Sequence, residues 1–257
     1  MLSTLTHTFS TQGVVQLGKR NAITGAVAKL FDLGNAPKVA LSLKTEVEEL
    51  YESTSGQRGL LKRMEKSRSG EITLELHNFD KRTLEVLLRG TQTTIAADTI
   101  VGETMATGMI VGDIYRTANP FISGITVEDS TAVTPLVLVE GTDYQIDANA
   151  GLIRFINVTG FVQPFKVDYD SGAAKVSAMF TENQSEYALY FSGLNMADGA
   201  TPVMVELYNV TFDPADNIDF ISDSFNVFTL KGAMMVDNFK SASDPLLGQY
   251  GRIIEQG

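Results

Sequence analysis

Hydrophobic and polar residues alternate along two stretches in the first third of the chain. Residues 39–48 place mainly apolar side chains at odd positions, from Val39 onward, and mainly polar or charged ones at even positions. Residues 71–77 repeat the pattern, with Ile72, Leu74 and Leu76 on one face. Period-two alternation predicts two strands of a sheet that has one buried and one solvated face.

The connection between these strands, residues 51–70, is far longer than a hairpin turn requires. It is basic, and its apolar residues have a spacing that allows a short helical turn. One interpretation is a docking loop that buries these residues against another subunit; the other is a mobile loop over its own sheet. The residues predicted to make the contact are Arg58, Leu60, Leu61, Lys62, Arg63, Met64, Lys66 and Arg68.

A short helix is predicted at residues 80–89. Asp80, or Asn78 just before it, can accept hydrogen bonds from the free first-turn amides. Gly90 suits a left-handed terminator. A helix of this length is not stable alone, so it must pack on the sheet through its apolar stripe, which is Leu84, Leu87 and Leu88.

The remaining chain reads as short strands separated by turn residues, which indicates a mainly β protein. The predicted fold is a β-sandwich or open barrel with one short flanking helix and a long inter-strand loop. Residues 1–37 are predicted to form an N-terminal arm, with room for a strand at 8–17. The main β domain covers 38–240 and contains an inserted or additional β region at about 98–172, and 241–257 form a polar tail. The later predicted strands are 141–147, 152–156, 165–170, 187–194, 203–212 and 225–236.

Composition narrows the possible functions. A chain of 257 residues suits one large β domain or a core domain with an insertion. The net charge of −11 argues against a general nucleic-acid-binding surface. The absence of cysteine excludes disulfides, zinc–thiolate sites and a cysteine nucleophile. The N-terminus lacks the pattern of a secretory signal, and no stretch has the length of a membrane span, so we expect a soluble protein that is intracellular where it is made.

Catalytic motifs are missing from the sequence. His7 and His77 lie in no metal or nucleophile motif, and the chain has no nucleophile elbow, phosphate-binding loop or dinucleotide fingerprint. The oxygen-rich stretch 213–219 lacks the spacing of a helix–loop–helix calcium site and is interpreted as a turn. The sequence therefore predicts a protein that is not an enzyme and has no cofactor or metal site.

Four features, in this order and spacing, resemble a known family. The first is the alternating strand that ends in Thr-Glu-Val-Glu-Glu at 45–49 and leads into the long connection. The second is the strand 72–76, which runs into the helical segment 78–90. The third is the strand pair at 143–155, and the fourth is the late strand 225–233. Together they resemble the major tail tube protein of tailed bacteriophages.

The resemblance implies a structural protein of the virion. In that family six subunits close into a ring, inner strands form a continuous β-barrel, and rings stack into a tube. DNA passes through the lumen without specific binding, often with a tape-measure protein, and the fold also occurs in type VI secretion tubes. The implied partners are other copies of the chain, the tail terminator, the baseplate or tip, and the tape measure. The implied location is the virion tail, after assembly in the host cytoplasm.

The polar face of the first two strands is predicted to line an acidic lumen, since acidic residues repel phosphate. The carboxylates concerned are Glu46, Glu48, Glu71 and Glu75. Two other classes of function stay open. One is a ligand- or carbohydrate-binding β-sandwich module, and the other is a hydrolase in which two of the 31 acidic residues converge. Both alternatives predict small soluble species, whereas a tube subunit predicts rings or tubes.

Overall fold

The computed structural model describes residues 8–77 and 80–256. Antiparallel strands dominate them, which confirms the predicted mainly β fold, and there is one helix in the described part. In chain order the elements are β1 Thr11–Arg20, β2 Val27–Asp32, β3 Lys38–Tyr51, β4 Leu60–Leu76, α1 Lys81–Leu88, β5 Gln92–Ile95, β6 Asp98–Thr104, β7 Ile114–Arg116, β8 Ile122–Glu128, β9 Tyr144–Asp147, β10 Leu152–Phe155, β11 Lys166–Ser171, β12 Ala174–Ser177, β13 Glu186–Asn195, β14 Thr201–Phe212, β15 Phe228–Met234 and β16 Gly251–Glu255.

The chain divides into two compact units. The first takes the described residues up to Thr91 and from Ser177 onward, and the second is Gln92–Val176. The second unit is therefore continuous in sequence and interrupts the first. Its bounds lie close to the region of about 98–172 that the sequence marks as inserted or additional.

One large sheet organises the first unit. Its strand order is β2-β1-β13-β14-β15-β4-β3, and β16 also pairs with β14. The five residues 33–37 join β2 to β3, which stand at opposite ends of this order. Laid flat, seven strands would span about 29 Å, whereas the link reaches about 20 Å. The sheet must therefore curl, and its concave side encloses a core that includes Leu17, Leu74 and Leu230.

The N-terminal segment, predicted as an arm with room for a strand at 8–17, contributes an integral strand to the sheet. β1 lies between β2 and β13, paired along nearly its whole length. At its end, the buried guanidinium of Arg20 bonds to Glu186 and Asp237, each at 2.6 Å. The predicted polar tail also contributes a strand, because β16 pairs with β14. Both segments lack alternation that would reveal them, since their neighbours in the sheet are distant in sequence.

The predicted helix is present, with one difference at its end. Asp80 caps it, accepting a hydrogen bond of 2.8 Å from the Thr83 amide; Asn78 lies outside the described residues. The left-handed residue is Arg89, not Gly90. Gly90 is needed for another reason: a Cβ there would run into the carbonyl oxygen of Ala178.

The second unit has its own core. Its strands form two three-stranded sheets, ordered β7-β10-β9 and β6-β11-β8, and β5 pairs with β12. The rings of Phe155 and Phe165 stack with centroids 4.9 Å apart inside this core. The predicted strand pair at 143–155 is confirmed as β9 and β10, with Ile146 opposite Ile153. The late strands β13, β14 and β15 confirm the predictions at 187–194, 203–212 and 225–236 in type and approximate position.

Candidate assembly surfaces

The predicted loop at 51–70 is in fact mostly strand. β3 and β4 pair from Lys38 opposite Glu75 out to Tyr51 opposite Leu60, so that only residues 52–59 lie outside the ladder. The expected helical turn is absent. Every residue from 60 to 69 is exposed, as is every residue of β3 from 41 to 51. The result is a long β-hairpin whose outer half, residues 41–69, projects beyond the core with both faces open.

The tip of this hairpin is held by one carboxylate. Glu52 accepts hydrogen bonds from the Thr54 hydroxyl at 2.8 Å and the Ser55 amide at 3.1 Å. These bonds, the Thr54 side chain first and the Ser55 backbone next, hold the pKa of Glu52 below its ordinary value. The Glu52 amide closes the turn on the carbonyl of Gly59 at 2.9 Å. The tip therefore has a defined conformation within the subunit.

Two irregularities change which side chains share a face. The pairing skips Lys66 and Leu61, so the alternation of β4 shifts phase relative to β3 at each. Leu60 comes to lie opposite Tyr51, whereas Met64 lies opposite Glu48, on the other face. The predicted apolar contact of Leu60, Leu61 and Met64 is therefore not a single patch. It is spread over both faces of the hairpin.

The predicted basic contact residues are partly engaged within the chain. Arg63 pairs with Glu49, Lys66 pairs with Glu48 at 3.1 Å, and Arg68 pairs with Glu65. Of the predicted set, only Arg58 and Lys62 have no ion-pair partner among the described residues. The basic residues that we expected to meet a neighbouring subunit are thus largely neutralised by carboxylates of their own hairpin.

The predicted lumen carboxylates share one face of the hairpin, as the alternation and register require. They are Glu46, Glu48, Glu71 and Glu75. Lys38, Lys44 and Lys66 form ion pairs with three of them, at 2.8, 2.7 and 3.1 Å. Three of the four carboxylates are therefore paired with lysines of the same hairpin, and their place in a lumen stays a prediction. Lys38 lies directly opposite Glu75, whereas Lys44 is opposite Ser69 and reaches Glu71 diagonally.

The seven-strand order in the sheet of the first unit ends in two free edges, and β16, which lies off this order, pairs with β14 alone among the described strands. β2 ends the strand order on one side and β3 ends it on the other, so among the described strands each pairs with one neighbour only. The free edge of β3 is 14 residues long. Leu43 and Leu50 on this strand are 72% and 56% exposed. A long exposed edge with apolar side chains is a template for pairing with another chain.

A cleft with basic walls lies beside α1, and sequence reasoning missed it. Lys19 on β1, Lys29 on β2 and Arg82 on α1 stand around an opening of about 340 Å³. Its apolar surface comes from Phe31, Val86, Tyr187 and Phe212. The three cations are separated by long stretches of chain, so no local pattern could have revealed them. We call this site the cationic cleft.

Lys19, Lys29 and Arg82 are exposed and have no carboxylate within ion-pair distance among the described residues. The guanidinium of Arg82 lies 5.5 Å from the centre of the Phe31 ring, a cation–π contact that orients it along the wall. Burial raises the pKa of Tyr187, and the nearby carboxylates of Glu85 and Glu182 act in the same direction. Glu85 and Glu182 also line the cleft, so it combines cations that have no ion-pair partner with two carboxylates and an aromatic surface.

Other chemistry is not indicated in the described part of the chain. No group of three or more histidine or acidic residues there is arranged to hold a metal ion. The one described helix is too short to cross a membrane.

Comparison with known proteins gives a family match. No curated protein matches the chain. A family model described as "Protein of unknown function UCP028589" matches residues 8–254.

Proposed function

The chain belongs to the UCP028589 family, and from this premise we propose that it is the structural subunit of a phage-type tail tube. The observation that carries the proposal is the hairpin of β3 and β4, which extends well beyond its own core. The resemblance of the strand and helix segments to major tail tube proteins supports the same function.

The exposed hairpin is hard to explain in an isolated subunit. A two-stranded ribbon without a packed face is marginally stable in water. The outer half of this one exposes Leu43, Leu61 and Met64 by 72%, 66% and 54%. Burying one such side chain contributes roughly 1.5–3 kcal/mol. A neighbouring subunit that covers either face would therefore gain stability that the monomer lacks.

In the proposed tube, rings that are hexameric by resemblance stack on one another, and the hairpin reaches across to an adjacent subunit. The free edges of β2 and β3 support ring closure, because closure removes edges that would otherwise pair at random. The net charge of −11 disfavours tight binding of DNA phosphates. DNA would slide through the lumen, and the tail terminator, baseplate or tip, and tape measure would be the further partners in the virion.

A shortened hairpin tests the proposal. Thr45 and Arg68 face each other in the ladder, so residues 46–67 can be replaced by Asn-Gly, which favours a tight turn. We expect a folded subunit, because the removed residues are exposed, and no rings or tubes. Circular dichroism would check folding, and electron microscopy with sedimentation velocity would check assembly.

A second variant with the same turn is the control. Replacing only residues 52–59 by Asn-Gly leaves both strands of the outer half in place, and we expect it to assemble. Normal tubes from the variant that lacks 46–67 would overturn the proposed role of the hairpin. A wild-type chain that stays monomeric at all concentrations would instead favour the ligand-binding alternative.

A further inference from the structure

One segment of the first unit has large apolar side chains that are almost fully exposed among the described residues. Residues 219–225 read Asp-Phe-Ile-Ser-Asp-Ser-Phe, and all seven are exposed. Phe220, Ile221 and Phe225 are 82%, 95% and 92% exposed. Isolated exposed apolar residues are common, but three nearly bare ones within six positions mark an interaction site. We call residues 219–225 the acidic aromatic segment.

The carboxylates of this segment differ from those just before it. Asp213 and Asp216 are bound within the subunit, by Arg89 at 3.2 Å and Lys231 at 2.5 Å. Asp219 and Asp223 have no cation within ion-pair distance among the described residues. The segment therefore presents two uncompensated negative charges, one before Phe220 and one between Phe220 and Phe225.

We propose that the acidic aromatic segment of one copy docks into the cationic cleft of a second copy. The two surfaces are complementary in charge and in chemistry. Cations outnumber carboxylates in the cleft, whose charged lining is Lys19, Lys29, Arg82 and Arg89 against Glu85 and Glu182. Its apolar floor is Phe31, Tyr187 and Phe212. Asp219 and Asp223 would meet the cations while the phenylalanine rings of the segment cover the floor. Aromatic pairs and cation–π contacts add to the burial of apolar area.

Within one subunit the segment lies elsewhere. The carbonyl of Asn226, which follows the segment, lies 3.4 Å from Nδ1 of His77. A separate pocket is lined by Phe220, Phe225, Asn35 and His77. No residue from 213 to 226 lines the cationic cleft. The segment and the cleft therefore do not meet within one subunit. This arrangement leaves each surface free to bind the other surface on a second copy.

A contact of this kind is head-to-tail, because a different surface is used on each copy. Such contacts generate closed rings or open filaments, not simple two-fold dimers. The inference rests on the proposed tube function and deepens it by naming a contact between adjacent subunits that does not involve the hairpin. Because its charged groups are exposed, added salt should weaken it.

Charge reversal on each side tests the contact. The cleft variant is Lys19→Glu with Lys29→Glu, and the segment variant is Asp219→Lys with Asp223→Lys. We expect each alone to need at least about tenfold more protein to assemble, which corresponds to about 1.4 kcal/mol per contact. An equimolar mixture of the two should assemble again, since every contact in an alternating ring then joins opposite charges.

The control reverses two equally exposed lysines of the second unit, Lys166→Glu with Lys175→Glu. It makes the same change in net charge as the cleft variant, and we expect assembly at the wild-type concentration. If the cleft and segment variants assemble like the control, or if the mixture does not recover, the inference is wrong while the tube function stands.

A binding measurement separates this inference from the tube function. A labelled peptide of residues 213–227 is titrated with the full-length segment variant, whose own segment cannot occupy its cleft. Fluorescence anisotropy should show binding that weakens at least about tenfold when Lys19→Glu and Lys29→Glu are added. This result without any tubes from the wild-type chain would refute the tube and leave the contact between copies. Peptide binding that ignores the cleft substitutions would refute the contact.

Discussion

The two halves of β4 belong to one continuous strand and have opposite environments. Residues 70–76 pair with β15 on one side and β3 on the other, and their side chains alternate between buried and more exposed. Residues 60–69 pair only with β3 among the described strands and are exposed throughout. The difference shows that the ladder of β3 and β4 continues beyond the residues that pack into the core.

The sequence of each half reflects its environment. The inner half alternates, with Ile72, Leu74 and Leu76 buried at 1%, 0% and 0% exposure. The outer half of β4, residues 60–69, shows no alternation, because neither of its faces is buried by its own subunit. A half with two open faces is free to be covered from either side, which is what a contact between subunits requires.

The largest difference in the free energy of unfolding is expected when a leucine is replaced by alanine in the inner half and in the outer half of the hairpin. Leu74→Ala removes a fully buried side chain and should lower the free energy of unfolding by about 2–5 kcal/mol. Leu43→Ala, on the outer half of β3 and 72% exposed, should change it by less than about 0.5 kcal/mol. Urea unfolding of the unassembled subunit measures both. Equal losses would show that the outer half is packed in the free subunit and would break the comparison.

A smaller difference in stability is expected between alanine substitutions at two glycines. Gly70 marks the point where burial begins, and a Cβ there would lie 2.6 Å from Sδ of Met234 and 3.2 Å from its Cβ. Gly70→Ala should therefore cost about 1–3 kcal/mol through overpacking. Gly59→Ala at the tip meets only Cγ of Glu52 at 3.9 Å and should be tolerated. Thermal unfolding of the two variants would test whether the boundary between the buried and exposed parts of the hairpin lies at Gly70. A destabilised Gly59→Ala variant together with a Gly70→Ala variant of normal stability would contradict this boundary.

The smallest effect concerns an ion pair of the outer half. Lys66 and Glu48 are 52% and 56% exposed and 3.1 Å apart, so their coupling should be about 0.2–1 kcal/mol and should fall as salt is added. A double-mutant cycle with Lys66→Ala and Glu48→Ala measures it. A coupling above about 2 kcal/mol in the free subunit would mean that this pair is shielded from solvent there.

Several elements of the fold were predictable because their signals are local. The helix at 81–88 has its cap and apolar stripe within ten residues, and β9 and β10 are joined by a short turn. β13, β14 and β15 carry the apolar runs of buried strands. In each case the residues that stabilise the element are close in sequence or are apolar in a regular period.

The missed elements depend on distant partners. β1 and β16 are strands because β13 and β14 lie beside them, and the outer half of β4 is a strand because β3 continues opposite it. The phase shifts at Leu61 and Lys66 leave no mark in the sequence pattern. The cationic cleft is assembled from Lys19, Lys29 and Arg82, on three elements, and only the fold brings them together.

The buried charge cluster at the end of β1 affects the point during synthesis at which the first unit can complete its fold. Arg20 bonds to Glu186, 166 positions later, and to Asp237, 217 positions later. A buried cation without its carboxylates is strongly destabilising. The first unit therefore cannot settle until the ribosome has made Asp237, whereas residues 92–176, which hold their own core, can fold earlier. In the proposed tube, the edges of β2 and β3 would become a complete docking surface only on chains translated through Asp237, and incomplete chains would be left out of the assembly.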